Sequence, residues 1–182
     1  MKKMKRLLTA VIAAALVIAT IPTALAAGGI FSDVPNGAWY ADAVDYVYEH
    51  GIMNGTSATT FSPNTPMTRA MLVTVLHRAA GSPSAATGTA FSDVPSGAYY
   101  TDAVAWASAN GIVTGYGNGR FGSNDPVSRA QIAAILWRYA GSPSAEAGQD
   151  FADESSIPAY ASAAVDWARA NGVANGTTGN RF

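Results

Sequence analysis

The chain has 182 residues, 13% of them charged and 49% apolar, enough for one domain but with about half the usual share of charge. Four of its eleven basic residues lie within the first six positions; beyond them seven arginines and no lysine face twelve acidic side chains, a net charge of −5. That balance argues against nucleic acid and against an anionic membrane surface as partners, and the lack of cysteine rules out a disulfide framework.

The N-terminus comes first. Lys2, Lys3, Lys5 and Arg6 precede an apolar run from Leu7 to Ile21, and Ala24-Leu25-Ala26 offers a small-x-small cleavage site. The pattern is that of a secretory signal peptide over residues 1–26, cut after Ala26. The run approaches the ~20 residues that a membrane span needs, but Pro22 and the cleavage site weigh against an uncleaved anchor.

A repeat organises the rest. FSDVPNGAWYADAVDYVYEHGIMNG starts at Phe31, FSDVPSGAYYTDAVAWASANGIVTG at Phe91, and FADESSIPAYASAAVDWARANGVANG at Phe151. A second half follows the first two copies, whereas the third copy runs only to Phe182, the counterpart of Phe61 and Phe121. The boundaries read from this are residues 27–85 and 86–145 for two full modules and 146–182 for a partial third.

Each full module reads as helix, loop, helix. The first helix is predicted from about Trp39 to His50, with Ala43, Val44, Val47 and Tyr48 at helical spacing and Gly51 as a left-handed C-cap. A loop rich in Gly, Thr, Asn and Pro follows, with Phe61 or Phe121 as an apolar plug. The second helix is predicted to start at Thr68 or Ser128, both good N-caps, and to end at Gly81 or Gly141. Its apolar stripe is Leu72, Val75, Leu76 and Ala79, or Ile132, Ile135, Leu136 and Tyr139. Gln131 can close a capping box with Ser128. Met71 stands at the matching place in the first copy and is expected not to, so the helix after Thr68 should fray more. Short helix pairs cannot bury enough surface alone, so the modules must pack on one another as one all-α body.

No catalytic or metal-ligating constellation is legible, and no cofactor is implied. His50 and His77 give way to Asn110 and Trp137 in the next copy, and the glycine-rich GYGNGRF lacks the lysine of a phosphate loop.

The ordered motifs FSDVP, the aromatic pair, NGI(M/V)xG, Phe-x-x-Asn-x-Pro and TRA or SRA at a helix start resemble the S-layer homology module, and the likeness covers residues 31–182. The resemblance implies tandem helix-loop-helix modules in a pseudo-threefold arrangement, here with an incomplete third, with grooves between neighbouring lobes. It also implies non-covalent anchoring of an exported protein at the bacterial surface. The partner would be a secondary cell-wall polysaccharide, often carrying a pyruvate ketal, or a modified peptidoglycan. The usual TRAE motif loses its acid to Met71 and Gln131, and the third module has no such half.

Two arginines, Arg69 and Arg129, stand in the first turn of the second helices, where partial positive charge makes a cation unfavourable by roughly 0.3–1 kcal/mol. Unpaired first-turn amides make an anion site, and a guanidinium adds a planar fork suited to a carboxylate. With the resemblance, both arginines are candidates to hold an acidic substituent of the polymer. The alternative is an exposed arginine paired with Asp33, Asp42 or Asp102, worth ~0–1 kcal/mol.

Trp39-Tyr40, Tyr99-Tyr100 and Tyr160 are candidate sugar platforms, one of each pair facing the core and the other a groove wall. Gly55 and Gly115, with Gly176, either admit a sugar close to the backbone or simply turn. Asp33 and Asp93 either accept sugar hydroxyls or close a turn ahead of Pro35 and Pro95. The groove between the first two modules is expected to be the best formed, and grooves that depend on the third module's missing half are expected to be open or absent. A self-assembling surface lattice, and the anchor of a longer surface enzyme, are competing functions. The half module suggests either a fragment of a longer protein or self-association through a helix borrowed from another copy.

Overall fold

The structure is a computed structural model that describes residues 29–85, 88, 90–144 and 150–182. The leader pattern over residues 1–26 therefore lies outside the described residues. Five α-helices are present among the described residues: α1 Ala41–Glu49, α2 Arg69–Ala79, α3 Thr101–Ala109, α4 Arg129–Tyr139 and α5 Ser162–Ala170, with a 3-10 turn at Glu154–Ser156. No strand accompanies them among the described residues, only the isolated bridges Thr68–Pro126 and Thr177–Arg181. The chain is all-α, and no helix among the described residues is long and apolar enough to cross a membrane.

The helix ends follow local chemistry. Thr68 and Ser128 are N-caps whose hydroxyls accept from the amides of Met71 and Gln131. Gly51, Gly81, Gly111 and Gly141 take positive φ just beyond the helices, as left-handed caps require. The expectation about Met71 needs correction. Its Sδ lies 3.5 Å from the Thr68 amide and closes the box, a weak acceptor doing what Gln131 Oε1 does at 3.1 Å from the Ser128 amide. His50 also has a local role. Its Nδ1 is 2.8 Å from the Tyr46 carbonyl, as Asn110 and Asn171 donate to the carbonyls of Trp106 and Trp167 at 2.8 Å.

Each module opens with a clasp. Phe31 pairs with Phe61 at 5.3 Å between ring centroids, Phe91 with Phe121 at 5.6 Å, and Phe151 with Phe182 at 5.4 Å. Phe121 is fully buried, as the plug reading requires, while Phe61 and Phe182 are half-buried. The clasp joins the start of the module to its loop, so the loop is held shut about thirty residues from where the chain entered.

Helices pair across the module boundaries. The two extensive helix-on-helix packings are α2 on α3 and α4 on α5, each joining the second helix of one module to the first helix of the next. Leu72, Val73 and Leu76 thus share a core with Val104, Trp106 and Ala107, and Ala130, Ala133 and Ala134 share another with Ala164, Val165 and Trp167. Sequence modules are therefore not the packing units. The stripe is also wider than periodicity suggests, because Val73, Ala70 and Ala130 are buried as well. Loop residues of the next module cover that side of the helix, which a one-faced pattern cannot reveal. α1 has no comparable helix packed on it among the described residues; Val44 meets only Phe31, Val34 and neighbouring side chains. Two such lobes are present among the described residues, where a threefold body would need a third.

One repeat position shows the consequence. Trp106 and Trp167 are buried beneath the preceding second helix, while Tyr46 at the same place on α1 is exposed and stacks on His50 at 4.0 Å. Trp106→Ala is expected to destabilise the protein by about 3–5 kcal/mol. Tyr46→Ala should cost less than about 1 kcal/mol. Urea unfolding midpoints of the two variants check the contrast.

Candidate functional site

The two first-turn arginines have different surroundings. Arg69 is only 5% exposed. Its Nε donates to the Phe121 carbonyl at 2.9 Å and its Nη2 to the Thr114 carbonyl at 3.0 Å. The guanidinium lies 4.7 Å from the centroid of the Phe121 ring and 4.8 Å from that of Tyr116, both favourable cation–π contacts. The amides beside it are not bare either. Arg69 N donates to Asp125 O at 3.0 Å and Ala70 N to Ser123 O at 3.1 Å, and Val127 N donates to Met67 O at 2.9 Å. The premise of open donors at this helix start is thus corrected. Carbonyls of the second module's loop supply the partial negative charge that the dipole and the cation call for.

Arg129 is exposed. Its Nη2 donates to the Asn175 carbonyl at 2.9 Å, and its guanidinium lies 4.7 Å from the Phe182 ring. No loop carbonyl among the described residues reaches the amides of Arg129 and Ala130 as Asp125 and Ser123 reach their counterparts. A cleft of about 220 Å³ opens beside it, floored by Ile132, Leu136, Val173, Ala174 and Phe182. At the junction of the first two modules, where the best-formed groove is expected, Arg69 is buried. Ile112 and Val113 are buried there, where the later junction has the smaller pair Val173 and Ala174, and Val173 is exposed. That size difference is the one sequence signal that marks the cleft.

The aspartates are held by backbone. Asp33 accepts from the amides of Phe61 and Ser62 at 2.7 Å each, and Asp93 from Phe121 at 2.7 Å and Gly122 at 2.8 Å. Asp153 repeats the contact with the Phe182 amide at 2.8 Å. These carboxylates close the module clasp rather than a local turn before proline. The Phe61 amide is the main cause holding the Asp33 carboxyl below its ordinary range. Burial would raise that of Asp93, but the Phe121 and Gly122 amides outweigh it and the net shift is downward.

The glycines answer to internal packing. A Cβ on Gly55 would stand 2.6 Å from both the Phe31 ring and the Thr60 carbonyl, and one on Gly115 would stand 2.5 Å from the Arg120 carbonyl and 2.6 Å from the Phe91 ring. The space over each is taken by its own clasp. Gly176 is likewise crowded, by Asn180.

Of the aromatic pairs, Trp39 is 94% exposed, and Tyr99 and Tyr160 also face outward. Tyr40 and Tyr100 pack on the cores, and Ala161 is buried at the third such position. Among all these residues only Arg129 lines the cleft. Ile132, Leu136, Val173, Ala174, Asn175 and Phe182 join it there, although sequence pattern marks them as core stripe, loop or plug and not as site.

Comparison with known proteins agrees with the repeat. The S-layer homology domain matches residues 30–70, 90–133 and 150–182. The chain is similar to an endoglucanase of Bacillus sp. (strain KSM-635), 34% identical over 84% of this chain and 16% of that protein. It is similar to the S-layer protein sap of Bacillus anthracis, 30% identical over 72% of this chain and 16% of that one. It also resembles the surface-layer 125 kDa protein of Lysinibacillus sphaericus, 31% identical over 92% of this chain and 14% of that one. The chain thus spans under a fifth of the length of these relatives.

Two outcomes test the site's electrostatics. Because the folded carboxyls titrate below their ordinary value of 3.8, their contribution is complete above about pH 4 and is lost as pH falls through the lowered values. Asp93→Asn should therefore be less stable than the parent at pH 7, with the gap narrowing toward pH 3 in urea titrations. Arg69→Ala should cost about 1.5–3 kcal/mol, since it strands the buried Phe121 carbonyl that a cation now satisfies. Arg129→Ala should change stability by less than about 0.5 kcal/mol, as read from thermal unfolding.

Proposed function

The chain belongs to the S-layer homology family, whose modules anchor proteins at the bacterial cell surface, and from that membership we propose that it grips an acidic cell-wall polysaccharide in the cleft beside Arg129. The observation that carries the reading is a surface guanidinium standing beside an apolar cleft. A carboxylate, such as that of a pyruvate ketal, would meet the fork of donors. The ketal methyl and the apolar sugar face would rest on Leu136, Val173 and Phe182. The dipole term that makes a lone cation unfavourable here becomes an asset once an anion joins it.

Outward-facing Trp39, Tyr99 and Tyr160 offer flat faces for further residues of a long polymer. The module is an anchor and does no chemistry of its own. Secondary cell-wall polysaccharide and modified peptidoglycan are the polymers that would supply the acid.

The test is co-sedimentation of residues 27–182 with purified cell-wall sacculi. Binding is expected, with release when pyruvyl groups are removed from the polymer. Arg129→Ala should weaken it by about 10–100-fold, the worth of a charge-assisted pair. Unchanged retention by Arg129→Ala would overturn the reading.

A further inference from the structure

We propose that Tyr116 decides whether the Arg69 junction can admit ligand: its ring closes that junction. The role of Arg129 as a ligand group rests on the reading above, whereas the closure is a matter of packing alone.

Tyr116 comes directly after the tight Gly115 position, and its ring lies 4.8 Å from the Arg69 guanidinium. It can lie there because position 122 is glycine. A Cβ on Gly122 would stand 2.4 Å from Tyr116 Cε2 and 2.6 Å from Asp125 Oδ2, and the residue has φ of +78°. Gly122 is itself fixed by the Asp93 carboxylate, which accepts its amide at 2.8 Å. Tyr116 thus rests against Gly122, which Asp93 fixes, and sets its ring over the guanidinium. Below it, Ile112 and Val113 fill the volume that is cleft at the later junction.

The counterparts of Tyr116 are Thr56 and Thr177. Thr177 turns its hydroxyl into its own loop, donating to the Arg181 carbonyl at 3.0 Å, and offers no ring to cover Arg129. Under the Tyr116 ring Arg69 serves as a module pin, whereas Thr177 places no ring on Arg129, which is exposed.

Phenylglyoxal, which modifies accessible arginines, tests the closure without any wall polymer, with each site followed by peptide mass spectrometry. In the parent chain Arg129 should react about tenfold or more faster than Arg69, which is reached only through transient opening. Tyr116→Thr, which installs the residue of the other modules, should raise the Arg69 rate several-fold and leave Arg129 unchanged, while Tyr116→Phe should keep Arg69 protected. Equal rates for the two arginines in the parent would overturn the proposal, as would protection of Arg69 in a folded Tyr116→Thr chain. Calorimetric titration with a methyl glycoside bearing a pyruvate ketal adds the functional arm. One site is expected in the parent and two in Tyr116→Thr; two in the parent would also overturn it. Absence of all binding to this probe would count against the acidic-ligand reading, and the arginine rates would still decide the closure.

Discussion

The structure depends on one packing relation: the second helix of a module lies on the first helix of the next. A helix of three turns exposes its apolar stripe unless another element covers it, and among the described residues the two helices of one module do not pack extensively on each other. Bringing Leu72, Val73 and Leu76 onto Val104, Trp106 and Ala107 resolves this, and it makes the cores properties of neighbouring modules. The modules thereby form a chain of shared lobes in which no full module is complete by itself. α1 shows the same rule from the other side. Its Tyr46 stands where tryptophan is buried in α3 and α5, and it is exposed for want of a covering helix among the described residues.

Once helices are shared, their ends must be shared too. The start of α2 is delivered into the loop of the following module, and there the carbonyls of Ser123, Asp125, Phe121 and Thr114 meet its amides and guanidinium. The directed hydrogen bonds and ring contacts of the buried Arg69 offset the cost of taking its charge out of water and tie the two modules together. The start of α4 makes fewer such contacts, and the space saved by Val173 and Ala174 becomes a cleft. Repetition thus supplies two copies of one device, one buried as a joint and one exposed beside a cleft.

The loops obey a stricter rule than their composition suggests. Asp33, Asp93 and Asp153 each take amides from residues close to thirty positions away, and the phenylalanine pairs join the same segments. Gly55 and Gly115 are small because a ring and a carbonyl occupy the place of their missing side chains. Residues that looked available to a ligand are thereby committed to holding the scaffold, while the outward aromatics Trp39, Tyr99 and Tyr160 have no such commitment.

The sequence by itself determined the repeat, the approximate helix limits, the caps at Thr68 and Ser128, and that one member of each aromatic pair could be spared for the surface. All of these follow from short-range rules, in which spacing and cap chemistry act within a few residues. It also carried the family through motifs in fixed order. Only the tertiary structure decided that helices pair across modules, that Arg69 is a joint and Arg129 is exposed, which aromatic of each pair turns outward, and that the aspartates bind distant amides. Those outcomes turn on which group fills the space beside a side chain. Identical motifs cannot specify that, because burial and hydrogen-bond saturation are set by neighbours about fifty residues away, such as Phe121 against Arg69.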